Sequence, residues 1–136
     1  MTVKRVVIDT NILISSILSP HGSPARVMEL ISDEEVQLVY SSAILAEYKR
    51  VLAYDKLDIE QTTQMRAINE VTRLGVLTEP VASETPMPDE DDRAFYDTAK
   101  SSGATLITGN TKHYSTEAFI TSTSDYLSKR EKEPDK

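Results

Sequence analysis

Asp9-Thr10-Asn11 places an acid, a hydroxyl and an amide directly after the apolar run Val6-Val7-Ile8. Glu47 lies about one and a half turns into the segment that follows a second such run, Val36 to Tyr40. Asp92 closes the acidic stretch Asp89-Glu90-Asp91-Asp92, and Asn110 follows a third run, Ala104 to Thr108, across Gly109. Carboxylates from separate elements can share a site only if something offsets their repulsion. A divalent cation does so, and it also activates water for attack on a phosphodiester. Cysteine is absent, and His21 and His113 are the only histidines. Such a cation would therefore need oxygen ligands, which points to Mg2+ or Mn2+.

These residues need a scaffold that brings them together. An apolar run without polar alternation suits a central strand of a parallel sheet, and ligands of open α/β sheets sit outside the carboxyl ends of such strands. Strands are expected at Lys4–Ile8, Val36–Tyr40 and Ala104–Thr108, with short ones at Val76–Thr78 and Phe119–Thr121. A buried helix is expected over Asn11–Leu18, and a second from an N-cap at Ser23, with Pro24 behind it, to Ile31. Ser41 or Ser42 caps a third, Ala43 to Ala53, whose apolar stripe of Ile44, Leu45, Tyr48, Val51 and Leu52 runs beside Glu47. Asp58 and Gln61 have capping-box spacing before a helix that runs to Leu74, with Gly75 at C′. A proline-bearing loop, Glu79 to Pro88, leads to the Asp89–Asp92 acids, which suit the positive end of a helix that Gly103 stops. A last helix is expected over Ser124–Lys129. The alternation predicts a three-layer α/β domain with a central, mainly parallel sheet over residues 1–128, followed by a frayed, mixed-charge tail, 129–136.

A chain of 136 residues, 39% hydrophobic and 27% charged, suits one globular domain. No apolar run approaches the ~20 residues of a membrane span. There is no secretory pattern, and the lack of cysteine is compatible with a reducing compartment, so no membrane partner and a cytoplasmic location are expected. The net charge of −7 argues against binding by broad phosphate neutralisation. Glu79 to Asp97 alone carries −6 of it, however, so the remainder is nearly neutral and an anionic substrate stays open.

At this point the chain resembles the PIN-domain ribonucleases. Asp9-Thr10-Asn11 is similar to their N-terminal motif, and Glu47 in Ser41-Ser42-Ala43-Ile44-Leu45-Ala46-Glu47 to their second acid. Asp91-Asp92-Arg93-Ala94-Phe95 with Gly103-Ala104-Thr105-Leu106-Ile107-Thr108-Gly109-Asn110 resembles their third block. The likeness spans Lys4 to about Tyr114 in order and spacing, and it is nearest to the VapC-like toxins of toxin–antitoxin pairs. It implies Asp9, Glu47 and Asp92 as catalytic ligands of Mg2+ or Mn2+, with Thr10, Asn11 and Asn110 in support. It also implies RNA cleavage leaving a 3′-hydroxyl and a 5′-phosphate, a cognate antitoxin and a homodimer. Asn110 departs from the pattern, because many members have a fourth acid there. Asp91 and Asp89 are alternatives to Asp92 within the acidic run. Asp97, five residues after Asp92, is a further acid about 140° away round the helix.

Plainer readings stand beside these. Asp9, Thr10 and Asn11 could simply cap a helix, and Glu47 could pair with Arg50. Asp89 to Asp92 could be a solvated helix start, and Asn110 a left-handed turn residue. His21 and His113 read as surface residues, as do Lys112, Arg50 and Arg26 unless they approach a phosphate. Aspartyl-nucleophile phosphatases would want a second acid where Asn11 stands, and a receiver domain would want paired acids beside Asp9. The competing function is an inactive PIN-like module that binds a protein or RNA.

Overall fold

Val6, Val7 and Ile8 have no solvent exposure, as expected of a strand covered on both faces. The computed structural model describes residues 3–114 and 117–132. Its strands are β1 (Arg5–Ile8), β2 (Gln37–Tyr40), β3 (Val76–Leu77), β4 (Thr105–Ile107) and β5 (Ile120–Thr121). Its helices are α1 (Thr10–Leu18), α2 (Ser23–Ser32), α3 (Ser42–Leu52), α4 (Gln61–Leu74), α5 (Arg93–Ser102) and α6 (Thr123–Lys132). The strands form one sheet in the order β3-β2-β1-β4-β5, and every pairing is parallel. This is the expected α/β architecture, a parallel sheet flanked by helices. The strand order reverses direction at β1 and β4, which opens a crevice at their carboxyl ends.

The helices pack through the stripes read from the sequence. Ile44, Tyr48 and Leu52 of α3 are fully buried, and the Tyr48 ring lies 6.3 Å from that of Phe95 on α5. α5 lies against β1, β2 and β4. Its buried side includes Phe95, Tyr96 and Ala99. The segment between β3 and α5 has no regular structure through most of its length, but it is tied down. The Glu79 carboxylate accepts from the Ser42 amide at 2.9 Å and the Ser42 hydroxyl at 2.8 Å, at the start of α3. The true cap of α3 is Ser41, whose Oγ accepts from the Ile44 amide.

Several local expectations need correction. The N-cap of α2 is Gly22, and the Ser23 hydroxyl instead meets Thr123 Oγ1 at 2.9 Å. Asp58 does not cap α4. It ends the turn Asp55–Leu57 in a left-handed conformation (φ 52°), while Glu60 precedes the helix and the Gln64 side chain donates to Ile59 O. α6 runs to Lys132, past the expected end at Lys129, and the remainder of the anticipated frayed tail lies outside the described residues. Gly75 ends α4 with extended backbone (φ −85°, ψ 161°), so handedness is not why glycine stands there. A Cβ at this position would come within 2.6 Å of Val71 O and 2.7 Å of the Tyr40 ring. Gly103, by contrast, is left-handed (φ 70°) with open space around it.

Gly75→Ala is expected to destabilise the fold by about 1–3 kcal/mol, through forced movement of helix backbone and a strand tyrosine. Gly103→Ala should cost only about 1–2 kcal/mol, through backbone strain. Urea midpoints of the two variants test this, and a harmless Gly75→Ala would show that α4 can slide away from β2.

Candidate functional site

Parallel pairing sets Ile8 opposite Ile107, so the residues leaving β1 and β4, Asp9 and Thr108, come off the sheet side by side. Asp9 is 7% exposed. A carboxylate removed from water to that degree needs donors. It has three: the Thr10 amide to Oδ1 at 2.8 Å, the Thr108 hydroxyl to Oδ2 at 2.7 Å, and the Tyr114 hydroxyl to Oδ2 at 3.1 Å. Asp9 also stands at the N-cap of α1, so the capping reading and the site reading hold for one residue. One residue upstream, the Tyr48 hydroxyl donates to Ile8 O at 2.6 Å.

Glu47, on α3, reaches this cluster through Thr10, whose hydroxyl donates to Glu47 Oε2. The pairing with Arg50 is present as well, at 3.7 Å, with a guanidinium that is 60% exposed and so worth little. Asn11 Oδ1 accepts from the Gly109 amide at 3.2 Å, which links the exits of β1 and β4. Asn110 is exposed, and its amide donates to Thr108 Oγ1 at 3.0 Å. Its φ of −137° corrects the left-handed reading.

Asp92 ends the short turn Glu90–Asp92 that opens α5. Its Oδ2 is buried and accepts no hydrogen bond; His113 Nδ1 lies 3.5 Å away without completing one. Burial above all, then the charges of Asp9 and Asp89, raise the Asp92 carboxyl to about 6; Glu47 adds to the rise and His113 opposes it. Asp92 thus lies within the electrostatic reach of both Asp9 and Glu47. The same field acts on the phenols. Burial first, and then Asp9, push Tyr48 and Tyr114 well above the usual tyrosine range, so both stay protonated as donors.

The other acids are placed differently. Asp89 and Asp91 are exposed, and Asp89 Oδ1 accepts from the Asp91 amide at 3.0 Å. Asp97 is 4% exposed and accepts from the Ser83 amide and hydroxyl. It fastens the segment before α5, together with Arg93, which donates to Ser83 O and Thr85 O at 2.9 and 2.8 Å. Sequence reasoning missed Thr108, Tyr114 and Tyr48; His113 is a surface residue as read, although it lies beside Asp92. The pairing of β1 with β4 would have found Thr108. Nothing in the spacing marks Tyr114.

Among the described residues, no three acids or histidines lie close enough together to hold a metal ion as they stand. The donor set still suits a hard divalent cation. It is all oxygen, it holds one buried carboxylate oxygen without a donor, and it carries mutual repulsion that a cation would relieve.

Residues 5–112 match the model of the PIN domain family. The uncharacterized protein MJ1680 of Methanocaldococcus jannaschii is 32% identical over 109 residues, 78% of this chain and 70% of that protein. The fold is similar to the crystal structure of PAE2754 from Pyrobaculum aerophilum, with a TM-score of 0.63 and 16% identity over 96% of this chain and 91% of that one. It is also similar to VapBC2 from Rickettsia felis, solved bound to a DNA fragment from its promoter, with a TM-score of 0.56 and 16% identity over 87% of this chain and 96% of that one. At such identities the two structures speak for the fold alone. Among the described residues, no helix is long and apolar enough to cross a membrane.

The raised Asp92 carboxyl has a consequence for stability. Its folded value, about 6, lies above the unfolded value of about 3.9, so the fold binds this proton more tightly. The group favours folding below about pH 4, loses that contribution as pH rises through about 6, and opposes folding when ionised. In EDTA at pH 7, Asp92→Asn should therefore raise stability by about 1–2 kcal/mol after allowance for solvent screening. Most of the gain should vanish at pH 4. Melting curves at the two pH values test this, and an unchanged or lowered Tm at pH 7 would count against crowding of the acids.

Proposed function

The chain belongs to the PIN domain family, and from that footing we propose that it is a Mg2+- or Mn2+-dependent endoribonuclease, acting as the toxin of a toxin–antitoxin pair. The observation that carries this reading is the buried, donorless Oδ2 of Asp92 in the joint field of Asp9 and Glu47. An unsatisfied anionic oxygen is costly in any fold, and it makes sense as a ligand. In this reading Asp9, Glu47 and Asp92 hold the ion. When bound, it supplies Lewis acidity toward the phosphodiester and lowers the pKa of an attacking water.

The remaining residues prepare that arrangement. Thr108 and Tyr114 saturate Oδ2 of Asp9, leaving Oδ1, with its single donor from Thr10, as the freer oxygen. Thr10 steadies Glu47, and Asn11 holds the two strand exits together. Asn110 offers an amide at the rim, which adds no charge, so a second ion would be held more weakly than the first. Neither Asp89, Asp91 nor Asp97 is needed. A small antitoxin as partner belongs to this reading through the resemblance of the motifs to VapC-like toxins. The net charge of −7 suits a partner that inserts a basic side chain at the acidic crevice. A homodimer is part of the same reading.

The second reading, a PIN domain that binds without cutting, is favoured by one observation, the uncharged Asn110. Mn2+ separates the two. Millimolar Mn2+ should raise the Tm of the wild type and cleave RNA, whereas Asp9→Asn should lose both responses and keep its circular dichroism. A wild type indifferent to Mn2+ would leave the binding module as the better account.

Tyr114→Phe keeps the ring and removes one donor from Asp9. Mn2+ affinity is expected to fall about tenfold, measured by calorimetry. Unchanged affinity would mean that Thr108 alone orients the carboxylate.

A further inference from the structure

At the end of the sheet opposite Asp9 lies a hollow of about 190 Å³ with a different chemistry. It is lined by Lys4, just ahead of β1, Thr105, which opens β4, and Ile120 of β5. Ala118, Thr121 and, on α6, Tyr126, Lys129 and Arg130 complete it. Their i, i+3 and i+4 spacing puts the last three on one face of the helix. No acid lines the hollow. Arg130 has a rim partner in Glu35 at 3.6 Å, itself 55% exposed. Among the described residues, neither Lys4 nor Lys129 has an ion-pair partner.

The basic lining contrasts with the chain's net charge of −7. The chain carries 22 acids against 15 lysines and arginines, yet the hollow draws its charged lining from the basic residues alone. Here three basic residues line one concavity, together with Thr105 and Ile120. Convergent like charge is unfavourable in itself and is relieved by an anion of matching charge. A guanidinium offers a planar fork and ammonium groups offer point charges, a mixture suited to tetrahedral oxyanions. The volume is below the range of about 300–1,000 Å³ of pockets that enclose a whole drug-sized ligand, so one anionic group fits better than an entire nucleotide.

We propose that this hollow, framed by Lys4, Lys129 and Arg130 at the amino ends of β1, β4 and β5, binds a phosphate group. The site is separate from the acidic crevice. Along β1 its four residues separate Lys4 from Asp9, about 13 Å at 3.3 Å per residue, and where the hollow reaches Thr121 it lies on β5, two strands away from β1. One phosphate therefore cannot engage both. The group can come from two sources: free or monoester phosphate, or a phosphodiester of an RNA strand that lies across this end of the molecule. The inference does not depend on the nuclease reading, because it uses none of the crevice residues.

The test is carried out in EDTA, so that any metal-dependent cleavage is silent. Amide shifts of Lys4, Thr105, Ile120 and Lys129 are followed by NMR during titration with inorganic phosphate, with sodium chloride at equal ionic strength as control. Saturable shifts at these amides are expected with phosphate and not with chloride. In the double variant Lys4→Gln with Lys129→Gln, the affinity should fall about tenfold or more. Both side chains are exposed, so the Tm of that variant should match the wild type. A short oligoribonucleotide with hydroxyl ends forms the second arm. If it shifts the same amides, the source is the RNA backbone; if only inorganic phosphate does, the source is free phosphate. The proposal is overturned if neither ligand gives saturable shifts, if chloride reproduces them, or if the variant binds as the wild type does.

Discussion

Everything near the crevice answers to one requirement, the solvation of a buried negative charge at Asp9. Folding removes this carboxylate from water, and the protein replaces the lost hydration with a backbone amide and two hydroxyls. None of these donors is charged. A lysine or arginine in their place would have stabilised the carboxylate equally well and cancelled its field. Neutral donors hold the group in place and leave its charge available, which is the condition for attracting a cation. Glu47 follows the same logic, with a neutral hydroxyl from Thr10 inside and only an exposed, distant guanidinium outside.

The uncancelled charge has a cost, carried mostly by Asp92. Its buried oxygen accepts no hydrogen bond, and the acids Asp9, Asp89 and Glu47 act on it against His113 alone. Tyr48 and Tyr114 feel the same potential and respond by holding their protons more firmly, which keeps their hydrogen bonds to Ile8 and Asp9 intact. The surroundings offset the strain with ordinary packing. Phe95 and Tyr96 of α5 are fully buried, and Asp97 and Arg93 pin the preceding segment to that helix. Asp97 and Asp92 are both acids of one short stretch with opposite duties, one satisfied by Ser83 and one left open.

Much of this was legible in the residues. The uninterrupted apolar runs located β1, β2 and β4, and the fully buried Val6 to Ile8 shows why: a strand covered on both faces has no polar alternation to display. The acids nearest the crevice could be picked out because each follows or precedes such an element. What escaped were contacts fixed by sheet order. Thr108 and Asp9 become neighbours only once β1 is known to pair with β4, and Tyr114 arrives from a turn whose direction no periodicity encodes. Cap positions were read one residue off at Ser23 and wrongly at Asp58, because capping spacing recurs in turns that bend elsewhere. Gly75 was assigned correctly for the wrong reason: the backbone there needs room against Tyr40 rather than a left-handed turn.

The two hydroxyls on Oδ2 of Asp9 come from residues 99 and 105 positions further along the chain. β1 leaves the ribosome before β2 and β3, and its neighbour β4 leaves after them, so the middle of the sheet closes only after β1, β2 and β3 have been made. Until Tyr114 has emerged, Asp9 has neither its full set of donors nor its crevice. A nascent chain is therefore incomplete at this site until the 105 residues that follow Asp9 have been made. The topology delays any activity seated there until the codon for Tyr114 has been read.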